Sequence, residues 1–523
     1  MTNSCFVPRV TYSNVHEDFT EVHRILDSTI GRFGDKLGCD HANIISGKED
    51  RDGKSYRISS PIDGSIDLGT YVDASQAAVG RAVEVARAAQ PAWAKAPWEK
   101  RVSIVRRVAS ILEARKYELA VANLIEVGKS RMEAMGEVEE AADLARFFCN
   151  EMEANHGYSR ALGRAWLNER TLSILKPYGV FGIVAPYNFP VALSVKMLAP
   201  ALVSGNSVVY KPSPGAGLTG SMVFNAFIEG GVPHGVINLI CGEESGPFLS
   251  DADVDGIVFT GSHDAGMSIF RKFANGPYMR PVLAEMGGKN PVYVTKSADL
   301  DVAAEGVARS AFGLQGQKCS AVEVAYVDTS VYDSFVEKLL AFTKGLKIGD
   351  PRDPDVFVGP VISGDAVATF ESAVESAEKD GKILFGGQRL SGKGYASDYY
   401  VEPTIVADLP ADHRLYQDEL FLPFLALARY DILEQALTRG NSVKYGLTAG
   451  AYAEGTDLDM FLDGAEAGVL YANRASGATT GAWPGFQTFA GWKGSGLSGV
   501  GGFGPNDLQQ FMREQSHTVM ESE

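Results

Sequence analysis

Cys319 has surroundings that are unusual for a buried structural cysteine. It lies in the stretch GLQGQKCSA, in which glycine, glutamine and lysine occupy positions where a core cysteine normally has apolar neighbours. Free cysteines are more often small buried side chains than nucleophiles, so the local sequence leaves both interpretations open. The rest of the chain has to decide between a structural and a reactive thiol.

Three other polar residues follow predicted strands, at the edge where doubly wound sheets bind their ligands. Asn188, in APYNFP, carries an amide that can donate to a developing oxyanion, although asparagine also forms ordinary turns. Lys211 ends the strand SVVYK and can reach a ribose or a phosphate. Glu285 precedes two glycines in LAEMGGKNP, and is either a general base or a solvated loop residue.

The turn FTGSHDAG is a candidate phosphate site because it joins a predicted strand to a predicted helix. Gly261, Ser262 and Gly266 surround the start of that helix, where backbone N–H groups attract anions. Small residues also serve as plain helix caps. The sequence GSGLSG at 494–499 fits a dinucleotide-binding pattern, but it does not stand between a strand and a helix, so we predict an ordinary loop there.

The pattern of apolar residues predicts an α/β protein. Helical periodicity extends from about residue 75 to 154, after a predicted hairpin in SSPIDGSIDLGTYVDAS. Short β-branched strands then alternate with helices in two series that divide near Gly287, which predicts two domains with parallel sheets covered by helices.

Composition excludes several classes of protein. Hydrophobic residues make up 45% of the chain, and a formal net charge of −17 argues against a nucleic-acid partner. The five cysteines are scattered without ligand spacing, which predicts neither disulfides nor a metal site. The chain shows no apolar leader or uninterrupted membrane segment. We therefore expect a soluble protein of the cytoplasm.

Seven stretches together resemble the aldehyde dehydrogenase superfamily. They are PYNFP, KPS, FTGS, EMGGKNP, GQKCSA, DELFLP and FAGWKGSG, in the order and at the approximate spacing of that family. The resemblance covers the chain from about residue 55 to its end. It decides the question at Cys319 in favour of a reactive thiol, because seven matches in order leave little room for coincidence.

The resemblance implies a mechanism and a set of ligands. Cys319 would attack the aldehyde, the Asn188 amide and the Cys319 backbone N–H would stabilise the oxyanion, and hydride would pass to NAD or NADP. Glu285 would activate water to hydrolyse the resulting thioester, and its presence favours hydrolysis over transfer to coenzyme A. The positions that match the family's cofactor contacts are Lys211, Ser213, Gly242, Gly261, Ser262, Gly266, Glu419 and Phe421.

Some positions depart from the family pattern. Pro214 stands where NAD-preferring members usually carry a glutamate, which removes a repulsion against a 2′-phosphate. NAD remains the expected cofactor, with NADP possible. Leu422 and Ala490 replace usual glycines near the nicotinamide or substrate channel, which they can narrow.

The substrate prediction rests on a narrower resemblance. The stretches GLQGQKCSA and EVGKSRMEAMGEVEEAADLARFFCNEMEANHG resemble 1-pyrroline-5-carboxylate dehydrogenases, which oxidise glutamate γ-semialdehyde. In that group the substrate carboxylate is held by positions that match Ser320, Gly477 and Ala478. Small residues let the backbone approach an anion closely.

An aromatic alternative remains open at this stage. Trp483, Phe486 and Phe489 stand where that group usually has a shorter polar stretch. They either line a pocket for a bulkier aldehyde, with Phe489 as a substrate contact, or simply pack the loop.

Two other classes of function have less support from the sequence. A cysteine or serine hydrolase lacks support because no GxSxG motif occurs. A non-catalytic protein of the same fold would not need Cys319, Asn188 and Glu285 together.

The resemblance also predicts the domain organisation and a homodimer or homotetramer that binds a small aldehyde. The fold class is α/β, with two Rossmann-like open-sheet domains, a small oligomerisation hairpin and a C-terminal strand. The predicted parts are an N-terminal extension (1–55), a cofactor-binding domain (56–157 and 179–286), oligomerisation elements (158–178 and 508–523), a catalytic domain (287–481) and a glycine-rich loop (482–507).

Overall fold

The computed structural model describes residues 9–12, 14, 17–477 and 483–522. The helices of these ranges are α1 (Thr20–Ile30), α2 (Gln76–Lys95), α3 (Trp98–Ala114), α4 (Lys116–Val127), α5 (Arg131–Ala154), α6 (Ala192–Val203), α7 (Gly217–Glu229), α8 (Ser245–Asp251), α9 (His263–Ala274), α10 (Leu300–Phe312), α11 (Tyr332–Lys344), α12 (Gly364–Asp380), α13 (Leu433–Asn441) and α14 (Gly455–Gly464). Within the same ranges, no helix has the length and apolar character needed to cross a membrane.

The first large sheet has seven strands. In spatial order they are β12 (Val282–Met286), β11 (Gly256–Gly261), β8 (Val180–Val184), β9 (Ser207–Lys211), β10 (Ile237–Leu239), β2 (Asn43–Ile45) and β3 (Lys48–Asp50). The strands from β12 to β10 are parallel, whereas β2 and β3 run antiparallel to their neighbours. Residues 43–50, which the sequence analysis assigns to the N-terminal extension, thus form one edge of this sheet.

The second large sheet also has seven strands. They are β15 (Lys382–Phe385), β18 (Thr404–Ala407), β19 (Phe424–Tyr430), β14 (Val322–Asp328), β13 (Asn290–Val294), β21 (Thr448–Tyr452) and β22 (Val469–Ala472), parallel except for β15. The change from one sheet to the other falls between Met286 and Asn290. An α/β fold with two open parallel sheets, as predicted from the alternation of strands and helices, is confirmed.

Smaller sheets complete the fold. Two of them have three strands: β1 (Asp40–His41), β5 (Asp67–Ala74) and β4 (Gly53–Ser59) in one, and β24 (Met512–Met520), β7 (Glu169–Pro177) and β6 (Ser159–Ala161) in the other. The two-stranded sheets are β16 (Arg389–Leu390) with β17 (Tyr400–Val401), and β20 (Tyr445–Gly446) with β23 (Trp492–Lys493).

The stretch TLSILKPYGVFGIVAP, which reads as one strand in the sequence, divides at Tyr178 and Gly179. Its first half forms β7 in the sheet with β24, and its second half forms β8 in the first large sheet. Gly179 has a φ of +145° and lies where a side chain would overlap Asp255. A glycine is therefore needed where the chain passes from one sheet to the other.

The central strands are buried on both faces, because helices cover both sides of the sheets. In β9, Val209 packs in the apolar cluster that contains α2, whereas Val208 packs in the cluster that contains α6 and α7. Successive strand residues point to opposite faces, so both must be apolar when both faces are covered. This packing fixes the carboxyl ends of the strands, where the candidate site lies.

Candidate active site

The loop that carries Cys319 has an unusual backbone. Leu314, Gln315 and Gly316 follow α10 with φ angles of +46°, +55° and +66°. Left-handed conformations cost about 1–3 kcal/mol at residues other than glycine, and they persist only where the surroundings hold them. At Gly316 a β-carbon would overlap the carbonyl oxygen of Leu422, so only glycine fits.

Buried polar contacts hold this loop. The side chain of Gln317 is fully buried, and its Oε1 accepts hydrogen bonds from the backbone N–H of Ile362 (3.0 Å) and the hydroxyl of Tyr187 (3.2 Å). The glutamines around Cys319 therefore belong to the protein interior, although their type alone is typical of an exposed loop. Their polar atoms form hydrogen bonds with backbone groups, which explains why polar side chains occur in the interior here.

Asn188 and Cys319 lie together. The Nδ2 atom of Asn188 donates to the backbone carbonyl of Gln317 over 2.9 Å, two residues before the thiol. The carbonyl of Cys319 accepts from Nδ2 of Asn290 over 2.7 Å, which fixes the backbone at the thiol itself. Burial, and then the carboxylates of Glu285 and Glu419, raise the pKa of the Cys319 thiol above its ordinary value.

Glu285 is the last but one residue of β12, and it lines a small cavity of about 20 Å³ beside the thiol cavity. Its Oε1 accepts a hydrogen bond of 2.5 Å from Nζ of Lys196, which lies on α6. Asp507 and Phe489 line the same cavity. Burial raises the pKa of Asp507 to about 6, against the opposing effect of Lys196. In this arrangement Lys196 neutralises Glu285.

A cavity of about 520 Å³ contains most of the predicted cofactor contacts together with the thiol. Its lining includes Asn188, Cys319, Lys211, Ser213, Gly261, Ser262, Glu419 and Phe421. Ser262 is the N-cap of α9, where its hydroxyl accepts from the N–H of Ala265 over 3.3 Å. This confirms that a helix starts at the predicted turn, and it directs the N-terminal end of α9 toward the cavity.

The two other predicted cofactor glycines have structural reasons. Gly242 has a φ of +103°, and a β-carbon there would overlap the side chain of Asp73. At Gly266 a β-carbon would lie 2.5 Å from Sδ of Met286, so glycine lets α9 pack closely on β12.

The residues of the 520 Å³ cavity fit a nicotinamide dinucleotide. Burial lowers the pKa of Lys211 to about 8, so its ammonium group would gain by contact with ribose hydroxyls or a phosphate. Burial, with the charge of Glu323 adding to it, raises the pKa of Glu419 to about 8, and its Oε1 accepts from the N–H of Gly288 over 2.9 Å. A carboxyl group of this kind can accept from a second ribose.

A buried ion pair between Lys289 and Glu323, which the sequence analysis missed, holds the backbone next to Glu419 and at Phe421. Nζ of Lys289 lies 2.5 Å from Oε2 of Glu323, and the Glu323 carboxylate also accepts from the N–H groups of Leu420 (3.1 Å) and Phe421 (3.0 Å). Phe421 keeps a φ of +59° in this setting. The only feature of the sequence that points to this ion pair is the single glutamate in the apolar strand VEVAYV.

A second cavity, of about 190 Å³, lies on the other side of the thiol loop. Phe189 and Lys318, the chain neighbours of Asn188 and Cys319, are part of its lining. Four cationic side chains face it against two carboxylates: Lys129, Arg131, Arg309 and Lys318 against Glu133 and Asp355. Each of these cations also has a carboxylate partner, namely Glu137, Asp27, Glu305 and Glu133 in the same order, so the cavity is polar and its charges are largely compensated.

Two ion pairs order the inner part of this cavity. Nζ of Lys318 lies 3.0 Å from Oε1 of Glu133. Lys129 forms an ion pair with Glu137 and lies over the ring of Phe189, 3.7 Å from its centroid. Burial lowers the pKa of Lys129 despite these partners.

The predicted carboxylate contacts lie next to this cavity. Ser320 is buried and follows Cys319 in the chain, and Gly477, which has a φ of +76°, follows the cavity residue Ser476. A β-carbon at Gly477 would lie 2.5 Å from the carbonyl oxygen of Gly306, so the backbone packs closely here. Ala478 is outside the described residues.

Of the three aromatic residues of the alternative prediction, Trp483 and Phe486 line the same cavity of about 560 Å³, whereas Phe489 lines a different one. Phe489 packs against Phe503 and lines the cavity of Glu285. Trp483 donates from Nε1 to Oδ2 of Asp143 over 2.9 Å, and Phe486 is 85% exposed. They do not form one aromatic pocket, so the fold does not favour that alternative.

A cysteine beside an amide donor, with a dinucleotide-sized cavity on one side and a small cation-lined cavity on the other, is the arrangement expected of a dehydrogenase that uses a nicotinamide cofactor. The chain belongs to the aldehyde dehydrogenase family, whose model matches residues 48–517. Members of this family use NAD or NADP, so the family and the cofactor class predicted from the sequence are confirmed.

Several characterised relatives are similar over most of their length. Alpha-ketoglutaric semialdehyde dehydrogenase from Bacillus subtilis is 35% identical over 83% of this chain and 90% of its own. 1-Pyrroline-5-carboxylate dehydrogenase from the same bacterium is 33% identical over 98% of this chain and 99% of its own.

Solved structures show the same similarity. 1-Pyrroline-5-carboxylate dehydrogenase from Thermus with bound NAD has a TM-score of 0.92 and 30% identity, with 100% of both chains covered. Proline utilization A from Bdellovibrio bacteriovorus has a TM-score of 0.91 and 32% identity, and covers 96% of this chain. The match spans 52% of that longer protein.

Proposed function

We propose that this chain oxidises glutamate γ-semialdehyde to glutamate with NAD, through a covalent intermediate on Cys319. One observation carries the proposal. Asn188 and Cys319 line the cavity that fits the dinucleotide, while their neighbours Phe189 and Lys318 line the second, polar cavity, whose cationic groups can hold a carboxylate. An aldehyde held by its carboxylate in the second cavity can present its carbonyl carbon to the thiol.

In the proposed mechanism the thiol of Cys319 passes its proton to water, Sγ adds to the carbonyl carbon as a thiolate, and the former carbonyl oxygen takes the negative charge. The Asn188 amide has two N–H groups, of which one holds Gln317, so the other can donate to this oxyanion together with the N–H of Cys319. NAD, which Lys211, Ser262 and Glu419 would hold in the larger cavity, would supply the acceptor for the hydride of this carbon. A thioester on Cys319 remains.

Hydrolysis of the thioester needs a base for water, and we assign that role to Glu285. Its carboxylate would remove a proton from a water molecule that attacks the thioester carbon, and the thiolate of Cys319 would leave. The hydrogen bond from Lys196 holds the carboxylate in place before this step. Reaching the thioester requires the Glu285 side chain to rotate away from Lys196.

A second candidate substrate is α-ketoglutaric semialdehyde, because the relative with that name is 35% identical to this chain. Both molecules have a carboxylate at one end and an aldehyde at the other, so the same cations suit both. They differ at the carbon next to the carboxylate, which carries an amino group in one and a keto group in the other.

The test is a comparison of kcat/KM for both semialdehydes, succinate semialdehyde and benzaldehyde, each with NAD and with NADP. The proposal expects glutamate γ-semialdehyde with NAD to give the highest value, and Cys319→Ala to abolish oxidation while NAD still binds. A higher value for the keto compound would select the second candidate. A higher value for benzaldehyde would refute a carboxylate-bearing substrate.

We also propose a homodimer or homotetramer that uses the sheet of β6, β7 and β24. The connection between β6 and β7 exposes Leu162, Trp166 and Leu167, which are 47%, 68% and 87% accessible. An apolar tip of this kind is typical of a surface that is covered by another subunit. Light scattering should give a dimer or larger, and Trp166→Asp should shift it toward the monomer.

A further inference from the structure

The N-terminal segment, of which residues 9–12 and 14 are described, packs against α5 beside the cation-lined cavity. Val10 is fully buried and Tyr12 is 8% exposed, so these two side chains belong to the protein interior. The resemblance that begins near residue 55 assigns it no role. It is nevertheless in contact with residues next to the thiol loop.

Tyr12 is held on three sides. Its ring meets Phe189 edge-on with a centroid distance of 6.5 Å and Trp483 with a distance of 6.0 Å. Its hydroxyl donates to Oε2 of Glu140 over 2.9 Å. At Gly136 a β-carbon would lie 3.1 Å from Cε1 of Tyr12, so the glycine makes room for the ring on α5.

Arg9, which is exposed, attaches the same segment to Asp143 of α5 and to Trp483. Its guanidinium lies 2.5 Å from Oδ2 of Asp143 and over the ring of Trp483, 5.4 Å from the centroid. Asp143 also accepts the indole N–H of Trp483. Arg9, Asp143 and Trp483 therefore contact one another, and Trp483 in turn contacts the ring of Tyr12.

Tyr12 lines two cavities. One is the inner cavity of about 190 Å³ with Lys318 and Phe189, and the other is an outer cavity of about 560 Å³ with Arg474 and Phe486. Ligand pockets are commonly about 300–1,000 Å³, so the inner cavity alone suits only a small substrate. The tyrosine ring is the wall that the two cavities share.

We propose that Tyr12 is a specificity-determining residue that limits the length of the aldehyde by separating the inner cavity from the outer one. This inference rests on the proposed function in taking the inner cavity as the substrate site. A short aldehyde with a terminal carboxylate fits in front of the ring. A longer or bulkier aldehyde would have to occupy the space of the ring or the outer cavity behind it.

The first test compares Tyr12→Ala with Tyr12→Phe, which keeps the ring but loses the hydroxyl. The measured quantity is the ratio of kcat/KM for 3-phenylpropanal to that for glutamate γ-semialdehyde. We expect the alanine variant to raise this ratio roughly tenfold or more, mainly through KM, because one side chain's apolar contacts discriminate by about 1–3 kcal/mol. The phenylalanine variant should keep the wild-type ratio, and an unchanged ratio in the alanine variant would overturn the proposal.

The second test needs no turnover, so it separates this proposal from the proposed function. Alkylation of Cys319 by iodoacetamide and by N-benzyl iodoacetamide is followed by peptide mass spectrometry, with saturating NAD to close the other cavity. Tyr12→Ala should accelerate the benzyl reagent alone. If Tyr12→Ala accelerates the benzyl reagent but the wild type does not oxidise the semialdehyde, the substrate assignment is wrong and the role of Tyr12 stands. If the wild type oxidises the semialdehyde but Tyr12→Ala leaves the relative rates of the two reagents unchanged, the role of Tyr12 is wrong and the substrate assignment stands. Tyr12→Leu, which retains more buried apolar surface, replaces the alanine variant if that one does not fold.

Discussion

Nζ of Lys196 donates to Oε1 of Glu285 over 2.5 Å, and the two side chains are only 6% and 17% exposed. Burial alone would lower the pKa of Lys196, but the carboxylates of Glu285 and Asp507 raise it, so the lysine stays charged. The proposed general base is thus compensated by a cation before it acts. This pairing makes the second half of the reaction depend on a residue of α6 that does not face the thiol cavity.

Replacing Lys196 by methionine should slow the hydrolysis of the thioester. Without the ammonium group, Glu285 is a buried carboxylate with no cation beside it, and breaking such a pair costs about 3–5 kcal/mol of stability or moves the carboxylate. We expect kcat to fall roughly tenfold to a hundredfold, and the acyl-enzyme mass to accumulate during turnover. Lys196→Arg is the matched control and should retain more activity; equal losses in both variants, without acyl-enzyme, would contradict this role.

Alkylation of Cys319 should remain strongly dependent on pH well above neutrality. Burial and the carboxylates of Glu285 and Glu419 raise the pKa of this thiol, so it is protonated in the free enzyme. Because only the thiolate reacts, the rate with iodoacetamide should rise roughly tenfold per pH unit between pH 7 and pH 9.

Cys39, which is exposed, serves as the internal control because its labelling is measured in the same digest. Glu285→Gln should speed labelling of Cys319 at pH 8, because one of the two carboxylates that oppose the thiolate is then neutral. A rate that levels off below pH 8 would show that the thiol of the free enzyme is already activated.

The sequence indicates the parts of the site that lie at the ends of regular elements. The ends of β8, β9 and β12 locate Asn188, Lys211 and Glu285, and the cap of α9 locates Ser262, because strand and helix termini have recognisable local patterns. The partners of these residues are not predictable in the same way. Lys196 is a single lysine within an apolar helix, and it meets Glu285 across 89 residues of chain.

The same limit explains three other residues that the sequence analysis missed. Glu323 lies in the apolar strand β14 and Lys289 directly precedes β13, and only the alignment of β13 with β14 brings the two together. Tyr12 contacts α5 more than a hundred residues away. Side-chain contacts between distant segments depend on how the elements pack, which local periodicity does not specify.

Asn188→Ala should lose transition-state stabilisation without losing the cofactor. The amide holds the thiol loop through Gln317 and, in the proposed mechanism, donates to the oxyanion. Removing one donor of this kind commonly lowers kcat by about a hundredfold to a thousandfold. The drop is measured in kcat/KM, while NAD binding by calorimetry should be unchanged; weaker NAD binding of the same size would point to a collapsed loop instead.

Binding of NAD should weaken as pH rises from 7 to 9. Burial lowers the pKa of Lys211 to about 8, so the ammonium group is mostly charged at pH 7 and mostly neutral at pH 9. The loss of a charged hydrogen-bond donor to the cofactor should increase Kd about fivefold, a cost of about 1 kcal/mol. Calorimetric titration of Lys211→Met should give a weaker affinity with little dependence on pH over this interval, and a wild-type affinity that stays constant would contradict the contact.

Glu140→Gln should stabilise the protein more at alkaline than at acidic pH. Burial, and then the neighbouring Glu137 and Asp143, raise the pKa of Glu140 to about 8, while Tyr12 and Lys129 oppose the shift. The folded protein therefore binds this proton more tightly than the unfolded chain, and the resulting stabilisation is complete below about pH 4.5 and lost as pH rises through 8. Each unit of the shift corresponds to about 1.4 kcal/mol.

Glutamine at this position keeps an acceptor for the hydroxyl of Tyr12 but has no proton to lose, so the Tm advantage of Glu140→Gln over wild type should grow between pH 6 and pH 8.5. Glu153→Gln, at an exposed position of the same helix, controls for the loss of one negative charge. A Tm difference for Glu140→Gln that stays constant over this interval would mean that Glu140 is already ionised beside Tyr12. The wall of the inner cavity would then be held by a charged carboxylate rather than a neutral one.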